Sequence, residues 1–140
     1  MAKVFTIGHS NRKWSDFTCI LKDNHVDLLV DVRRYPSSRA CPQFNKKQMI
    51  TYLQKKSVSY IHIEKLGGRW NKFYTKGDQH TDNNNNNAGS RNKSFGAYAN
   101  YKATTSFRED INELLSLMKE YSNYLSCVQK QYHGIVIEEW

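Results

Sequence analysis

Short apolar segments alternate with amphipathic ones in the first half of the chain, and this alternation constrains the fold more than any other feature of the sequence. The apolar segments span residues 3–7, 27–32 and 58–63. Between them, apolar residues recur at helical spacing, with Phe17, Ile20 and Leu21 in the first segment and Met49, Ile50 and Leu53 in the second. The order strand, helix, strand, helix, strand is typical of a parallel sheet with right-handed crossovers.

The second half of the chain adds one long helix and two further strand candidates. Ile111, Leu114, Leu115 and Met118 mark the face of the helix that we expect to be buried. The strand candidates are residues 124–128 and 134–137. We therefore expect one domain over residues 1–140, of class α/β, with three layers and a mainly parallel sheet of four or five strands.

Residues with capping side chains precede each helical segment. We expect Ser15 or Asn11 to begin the first helix, Asn45 the second, and Thr105 or Ser106 the third, because their side-chain oxygens can accept from free helix amides.

A long loop is expected at about residues 64–94. It contains Gly67 and Gly68, several aromatic residues and an asparagine run at residues 83–87. Asparagine competes with its own backbone for hydrogen bonds and favours turns, so we expect the asparagine tip to be disordered. A loop of this length inside a compact domain is usually functional or disordered, and we interpret its first part as functional.

Composition and cysteine usage narrow the class of protein. No apolar run is long enough to span a bilayer, and the first residues lack the apolar stretch of a signal peptide. Three cysteines at unrelated spacings indicate neither a disulfide framework nor a zinc site. No phosphate-binding loop, dinucleotide fingerprint or metal motif occurs. We expect a cytoplasmic protein without a cofactor or a metal and without a membrane partner.

The positive charge of the chain is concentrated in its first part. The net charge is +8, and residues 1–80 hold 15 basic and 6 acidic side chains, whereas residues 81–140 hold 6 and 7. This asymmetry favours a nucleic acid or a phosphorylated small molecule as partner. The alternative is a solvated surface that only keeps the protein soluble.

Polar residues follow the first two predicted strands, at the edge of a parallel sheet where ligands bind. His9 is the candidate for proton transfer, and Ser10 beside it offers a hydroxyl group. Asp31, at the end of a buried strand, is the candidate to orient His9 or to act as a second acid or base. Arg33 is a candidate phosphate ligand. The alternatives are a capped turn for His9 and Ser10, and a structural ion pair for Asp31 with Arg33 or Arg34.

Two loops supply further candidates for binding an anionic substrate. Ser38 and Arg39 lie with Arg33 on a loop that holds both prolines of the chain, and hydroxyl and guanidinium groups suit phosphate. The long loop combines flexible glycine backbone, positive charge and aromatic rings, which together suit a base flipped out of a duplex or a single-stranded nucleic acid. Its candidate residues are Gly67, Gly68, Arg69, Trp70 and Tyr74. Packing of these aromatic residues onto the sheet is the alternative.

Cys127 closes the fourth predicted strand. It could be a nucleophile if neighbouring cations lowered its pKa, but Val128 and Gln129 carry no charge and only His133 could help. We therefore expect an ordinary thiol without a catalytic role.

Several motifs together resemble the domain of unknown function 488 family. They are T-I-G-H-S (residues 6–10), L-V-D-V-R (29–33), P-Q-F-N (42–45), L-G-G (66–68) and G-A-Y-A-N-Y (96–101), with Pro36, Ser38 and Phe107-Arg108 in addition. The resemblance covers residues 4 to about 127. It implies a small α/β protein of poorly characterised activity, suspected to be enzymatic because the shared residues are polar. The family's Cys-His-Arg segment after the late-strand cysteine is absent here.

Three hypotheses about function remain open from the sequence. The first is an enzyme-like domain that acts on or binds an anionic substrate such as nucleic acid or a nucleotide. The second is a nucleic-acid-binding module without catalysis. The third is a rhodanese-like sulfur carrier that uses Cys127.

Overall fold

The computed structural model describes residues 3–67, 101–128 and 135–139, with the backbone alone for residues 3, 124–128 and 135–139. The strands are β1 (Lys3–Gly8), β2 (Leu28–Asp31), β3 (Ser59–His62), β4 (Asn123–Val128) and β5 (Ile135–Glu139). The helices are α1 (Trp14–Asp23), α2 (Lys46–Gln54) and α3 (Thr105–Glu120). Two short 3-10 turns span Pro42–Phe44 and Glu64–Leu66.

The strands form one sheet in the order β3-β2-β4-β1-β5. β4 lies between β1 and β2 and is parallel to both, and β2 is parallel to β3. β5 is antiparallel to β1 at the opposite edge. The prediction of an α/β domain with a mainly parallel sheet is therefore confirmed.

The helices cover both faces of the sheet. On one face, Leu29 of β2 packs in a cluster with Phe17 and Leu21 of α1 and with Met49 and Leu53 of α2. On the other face, Leu28 and Val30 pack in a second cluster against α3, which contributes Phe107, Ile111, Leu114, Leu117 and Met118. All four residues of β2 are buried. This agrees with the continuous apolar run that predicted a strand covered on both sides.

α1 and α2 end in the same way, with a non-glycine residue in the left-handed region. His25 has φ 52° and Ser57 has φ 58°. At the end of α1, Val26 N donates to Leu21 O and His25 N to Lys22 O; at the end of α2, Val58 N donates to Leu53 O and Ser57 N to Gln54 O. This is the Schellman arrangement, which usually has glycine at the left-handed position.

The predicted capping residues need correction. α1 begins after Lys13, which makes no side-chain cap, so the prediction of Ser15 or Asn11 was wrong. α3 begins after Thr104, whose Oγ1 accepts from Phe107 N, one position before the predicted Thr105. Asn45 does occupy the cap position of α2, but its side chain binds elsewhere.

One residue of the predicted buried face of α3 is exposed. The side chain of Leu115 is 44% exposed, and Leu117 packs in the core cluster instead.

The predicted loop over residues 64–94 lies outside the described residues beyond Gly67, together with its asparagine tip. Its described beginning is the turn Glu64–Leu66.

Candidate functional site at the carboxyl edge of the sheet

The carboxyl ends of four strands meet at one edge of the sheet, and their register brings the predicted polar residues there. Asp31, the last residue of β2, is in register with His62 of β3 and with the backbone of Cys127 in β4. Cys127 is in register with Ile7 of β1, two residues before His9. The sequence prediction that the residues following these strands share one edge is therefore met by the register.

Asp31 and Arg33 form a buried ion pair. Arg33 Nε donates to Asp31 Oδ1 at 2.8 Å and Nη2 donates to Oδ2 at 2.6 Å, while the backbone amide of Arg33 donates to Oδ1 at 3.0 Å. Tyr60, on the neighbouring strand β3, donates its hydroxyl proton to Oδ2 at 2.7 Å. The carboxylate is therefore held by a two-pronged guanidinium contact, an amide and a phenol.

The environment of Asp31 keeps its carboxyl group ionised. Burial of the side chain acts to raise its pKa, because the charged form loses hydration. The hydrogen bonds and the charge of Arg33, together with the hydroxyl of Tyr60, outweigh burial and hold the pKa of Asp31 below its ordinary value. An ionised carboxylate with these contacts is suited to orient Arg33 rather than to exchange a proton near neutral pH.

His9 follows the last residue of β1 and is buried, with 4% of its surface exposed. Its Nδ1 is 2.7 Å from the carbonyl oxygen of Ser10. A carbonyl oxygen can only accept, so Nδ1 carries the proton in this contact, and Nε2 is the basic nitrogen of the neutral ring. The backbone thus selects one tautomer of His9.

Ser10 makes this arrangement possible through its backbone conformation. Its φ of 47° lies in the left-handed region, which costs a non-glycine residue about 1 kcal/mol or more. The turn closes with Arg12 N donating to His9 O at 3.1 Å. The carbonyl oxygen of Ser10, which binds His9, also accepts a weak hydrogen bond from Cys41 Sγ at 3.5 Å.

Phe44 connects His9 to the ion pair. The ring of Phe44 stacks on the ring of His9 with centroids 4.7 Å apart. Its carbonyl oxygen accepts from Arg33 Nη2 at 2.8 Å. The sequence analysis placed His9, Asp31 and Arg33 at one edge, and the structure shows that Phe44 is the residue that His9 and Arg33 both contact.

His62 and Lys46 extend the edge beyond Asp31. His62 Nε2 lies 2.6 Å from the carbonyl oxygen of Arg33, and His62 Nδ1 lies 3.1 Å from Lys46 Nζ. An ammonium group can only donate and a carbonyl oxygen can only accept. His62 therefore donates from Nε2 and accepts at Nδ1, and it holds the ammonium of Lys46 at the start of α2.

The loop between β2 and α2 is held by its own polar groups. Ser38 N donates to Asn45 Oδ1 at 2.6 Å, and Ser38 Oγ accepts from Cys41 N at 3.2 Å. Lys46 N donates to Pro36 O at 2.9 Å. Ser38, which we predicted to bind substrate, thus uses its amide and hydroxyl groups within the loop, whereas Arg39 is exposed to solvent.

Gly67 lies against the backbone of this same loop. A Cβ atom at position 67 would lie 2.7 Å from the carbonyl oxygen of Val32 and would also collide with the backbone of Arg34. Glycine is therefore required for the close approach of two backbone segments. The binding role that we predicted for Gly67 stays a prediction.

Several predicted site residues lie outside the described part of the chain. They are Gly68, Arg69, Trp70 and Tyr74. The side chain of Cys127 also lies outside it, although its backbone position at the carboxyl edge is described.

Several residues at this edge were absent from the predicted site, among them Tyr35, Phe44, Lys46, Tyr60 and His62. His62 ends β3 as Asp31 ends β2, so the strand-end argument, applied to the third strand, would have found it. Tyr35 is 54% exposed and follows Arg34, whose Cζ lies 5.9 Å from the centroid of its ring. An exposed aromatic residue within a basic loop was its signal in the sequence. Phe44 lies within the P-Q-F-N motif of the family resemblance, which did not indicate its role, and no signal in the sequence pointed to Tyr60.

Fold and edge together define a small α/β domain whose candidate site lies outside the carboxyl ends of parallel strands, the usual ligand position in open sheets of this type. The chain belongs to the family described as domain of unknown function DUF488, whose family model matches residues 13–134. The predicted family resemblance is therefore confirmed. No curated protein and no solved structure matches the chain.

Within residues 3–67, 101–128 and 135–139, none of the helices combines the length and the apolar character that crossing a bilayer requires.

Proposed function

We propose that this domain binds a phosphate-bearing ligand, a nucleotide or a single-stranded nucleic acid, at the carboxyl edge of its sheet, and that His9 exchanges a proton with the bound ligand. The observation that carries the proposal is the contact of His9 Nδ1 with the carbonyl oxygen of Ser10, a group that can only accept, so that the proton of the neutral ring is assigned to Nδ1. A buried imidazole with one defined basic nitrogen is the form that general acid or base chemistry uses.

Exposed positive charge on the segment between β2 and the start of α2 supports the anionic character of the ligand. Arg39, Lys46 and Lys47 are exposed on the loop and the first turn of α2. α2 has no acidic residue in its first turn, so the partial positive charge of the helix start adds to these cations. The charge of Arg33, in contrast, is balanced by Asp31. We therefore assign phosphate binding to Arg39, Lys46 and Lys47, and assign Asp31 and Arg33 the role of holding the edge in shape.

Binding is tested with a fluorescein-labelled oligo(dT) by fluorescence anisotropy over a series of salt concentrations. For a single strand, each phosphate contact contributes about −0.7 to the slope of log K against log salt. Lys47→Gln should lower the affinity and make this slope shallower by about one such contact. Lys55→Gln removes another exposed lysine, near the other end of α2, and should leave the affinity and the salt slope unchanged. Absence of binding at low salt, with ADP as well as with the oligonucleotide, contradicts the proposal.

Proton exchange is tested by calorimetric titration of ADP in two buffers of different ionisation enthalpy. If His9 changes its protonation on binding, the measured enthalpy depends on the buffer between pH 6 and 8. His9→Asn keeps a side-chain donor for the carbonyl oxygen of Ser10 but has no titratable group, so the buffer dependence should disappear while the protein stays folded. Binding with no buffer dependence in the wild type contradicts the role of His9.

That last outcome would favour a second candidate function, a nucleic-acid-binding module without catalysis. The contacts of Asp31 support this candidate, because both carboxylate oxygens accept from Arg33, and Oδ2 accepts from Tyr60 as well. A carboxylate in this state does not act as a second acid or base near neutral pH.

A further inference from the structure

A cavity of about 650 Å³ opens at the opposite, amino edge of the sheet, between the ends of α1 and α2. It lies where the chain leaves each helix to enter β2 or β3, far along the strands from His9 and Asp31. Its apolar walls include Leu21, Val26 and Leu53, all of them core residues that are at most 6% exposed. The volume falls within the roughly 300–1,000 Å³ typical of small-molecule sites. We call it the amino-edge cavity.

The polar groups that line the amino-edge cavity are mostly hydrogen-bond donors. Lys22 and Lys56 contribute ammonium groups, and Ser57 and His25 contribute a hydroxyl and an imidazole. Asp27 contributes the one carboxylate among the lining residues. An apolar wall with an excess of cationic donors suits a molecule with an apolar body and an anionic head.

The backbone at this cavity adds an independent observation. His25 and Ser57, the two non-glycine residues that hold left-handed φ values at the helix ends, both line it. Glycine at either position would complete the same Schellman arrangement without the steric cost of a Cβ atom. Retaining a side chain at both positions therefore costs stability, and both side chains lie where a ligand head would reach them. Strained non-glycine residues of this kind cluster at ligand sites.

We propose that the amino-edge cavity binds an amphipathic carboxylate. Its apolar body lies against Leu21, Val26 and Leu53, and its head lies among the polar side chains that line the cavity, those of Lys22, His25, Lys56 and Ser57. This site is separate from the carboxyl edge and does not depend on the function proposed there. Ordinary helix-end electrostatics make a different prediction for the lysines: a lysine in the last turn stabilises a helix whether or not a ligand binds. Affinity and stability must therefore be measured side by side.

The first experiment uses octanoate as the probe and the fluorescence of 8-anilinonaphthalene-1-sulfonate as the reporter. Octanoate should displace the dye from the native protein at concentrations below its micelle range. The double variant Lys22→Gln/Lys56→Gln should bind octanoate with an affinity about tenfold lower, which corresponds to about 1.4 kcal/mol of binding free energy. Lys55→Gln removes an exposed lysine that does not line the cavity and serves as the matched control.

The second experiment uses glycine substitutions that the backbone tolerates. His25→Gly and Ser57→Gly relieve the left-handed strain, so the midpoint of urea unfolding should stay the same or rise. Octanoate affinity should nevertheless fall severalfold in each variant, because a head-group contact is lost. Unchanged octanoate affinity in both glycine variants and in the lysine double variant overturns the proposal.

A third readout locates the bound probe. Cys19 lines the cavity and is exposed, whereas Cys41 is buried elsewhere. Octanoate should slow the alkylation of Cys19 by iodoacetamide and should leave the rate of alkylation of Cys41 unchanged. Both rates are measured by peptide mass spectrometry. Displacement of the dye without protection of Cys19 would place the dye site elsewhere and overturn the assignment to this cavity.

Discussion

The guanidinium of Arg33 donates from Nε and Nη2 to the two carboxylate oxygens of Asp31, a residue whose side chain has no exposed surface. The same guanidinium also donates to the carbonyl oxygen of Phe44. Through these bonds the end of β2 is joined to the 3-10 turn that stacks on His9. The pair thus links the strand, the loop and the candidate proton-transfer residue.

Asp31→Asn should destabilise the protein by about 3–5 kcal/mol, because it leaves the buried charge of Arg33 without its partner. Tyr60→Phe removes one hydrogen bond to the same carboxylate and should cost about 2 kcal/mol. Both free energies of unfolding are measured by urea denaturation. Asp23→Asn, a change at an exposed carboxylate, is the control and should lie within about 0.5 kcal/mol of the wild type. A wild-type stability in Asp31→Asn would show that the ion pair does not support the fold.

The acid stability of the protein should depend on Asp31. Its pKa is held below the ordinary value in the folded state, so the unfolded chain takes up this proton first as the pH falls. The contribution of the pair is therefore fully present above about pH 4, near the ordinary aspartate pKa, and is lost as the pH falls through the lower folded value. Urea unfolding from pH 6 to pH 2 measures this loss. Asp31→Asn should show a shallower decline over the same range, and an identical decline would contradict the assignment.

Gly67→Ala should destabilise the protein although it adds only one methyl group. The added Cβ would meet backbone atoms of Val32 and Arg34, which cannot rotate away as a side chain would. Overpacking of this kind costs about 1–3 kcal/mol. The shift of the thermal midpoint of unfolding measures this destabilisation. Calorimetric titration with ADP then shows whether the substitution also changes the carboxyl edge of the sheet. An alanine variant as stable as the wild type would mean that the two backbone segments separate without cost.

Tyr35 should contribute to binding of a single strand by stacking on a base. Its ring is 54% exposed beside the guanidinium of Arg34. Loss of one base–aromatic stack costs about 1–3 kcal/mol, so Tyr35→Ala should weaken oligo(dT) binding by about tenfold or more, and Tyr35→Phe should retain it. Tyr52→Ala is the control, since Tyr52 is 38% exposed and lies against Trp14. Equal losses in the two alanine variants would point to a general effect on folding.

The cysteines should differ in their reactivity with iodoacetamide. Cys19 is exposed and should be alkylated first, whereas Cys41 is buried and should react slowly. For Cys127 we expect an ordinary, slow thiol at neutral pH, because Val128 and Gln129, which follow it directly in the sequence, carry no charge. Peptide mass spectrometry after brief labelling measures the extent of alkylation at each of the three cysteines. Rapid, selective labelling of Cys127 would support the sulfur-carrier hypothesis instead.

Local sequence patterns predicted the elements well and the contacts at the site only in part. The apolar run ending at Asp31 indicated a strand buried on both faces, and a charge at its end required a partner, which the structure shows to be Arg33. The roles of Phe44 and Tyr60 depend on how an adjacent turn and an adjacent strand pack, and no local pattern contains that information.

Backbone conformation was the other part that the sequence did not indicate. Glycine would have marked the left-handed positions, but Ser10, His25 and Ser57 occupy them. Asn45 shows the same difficulty at a helix cap. It was identified from its residue type, yet its side chain accepts from Ser38 N across the loop rather than from an amide of α2. Tertiary hydrogen bonds here replaced the local ones.

The position of β4 in the sheet has a consequence for the order in which the protein is assembled during synthesis. Leu28 and Val4 are each in register with Tyr124, so β1 and β2 are joined through β4, a strand that follows both of them much later in the sequence. A nascent chain that has emerged as far as β3 can pair β2 with β3, but its β1 has no neighbour and β2 keeps an open edge. Pairing across such sequence distances is slow, and open strand edges favour aggregation. The sheet becomes continuous only when residues 123–128 insert at its centre, so we expect folding to be completed only after this segment has been synthesised.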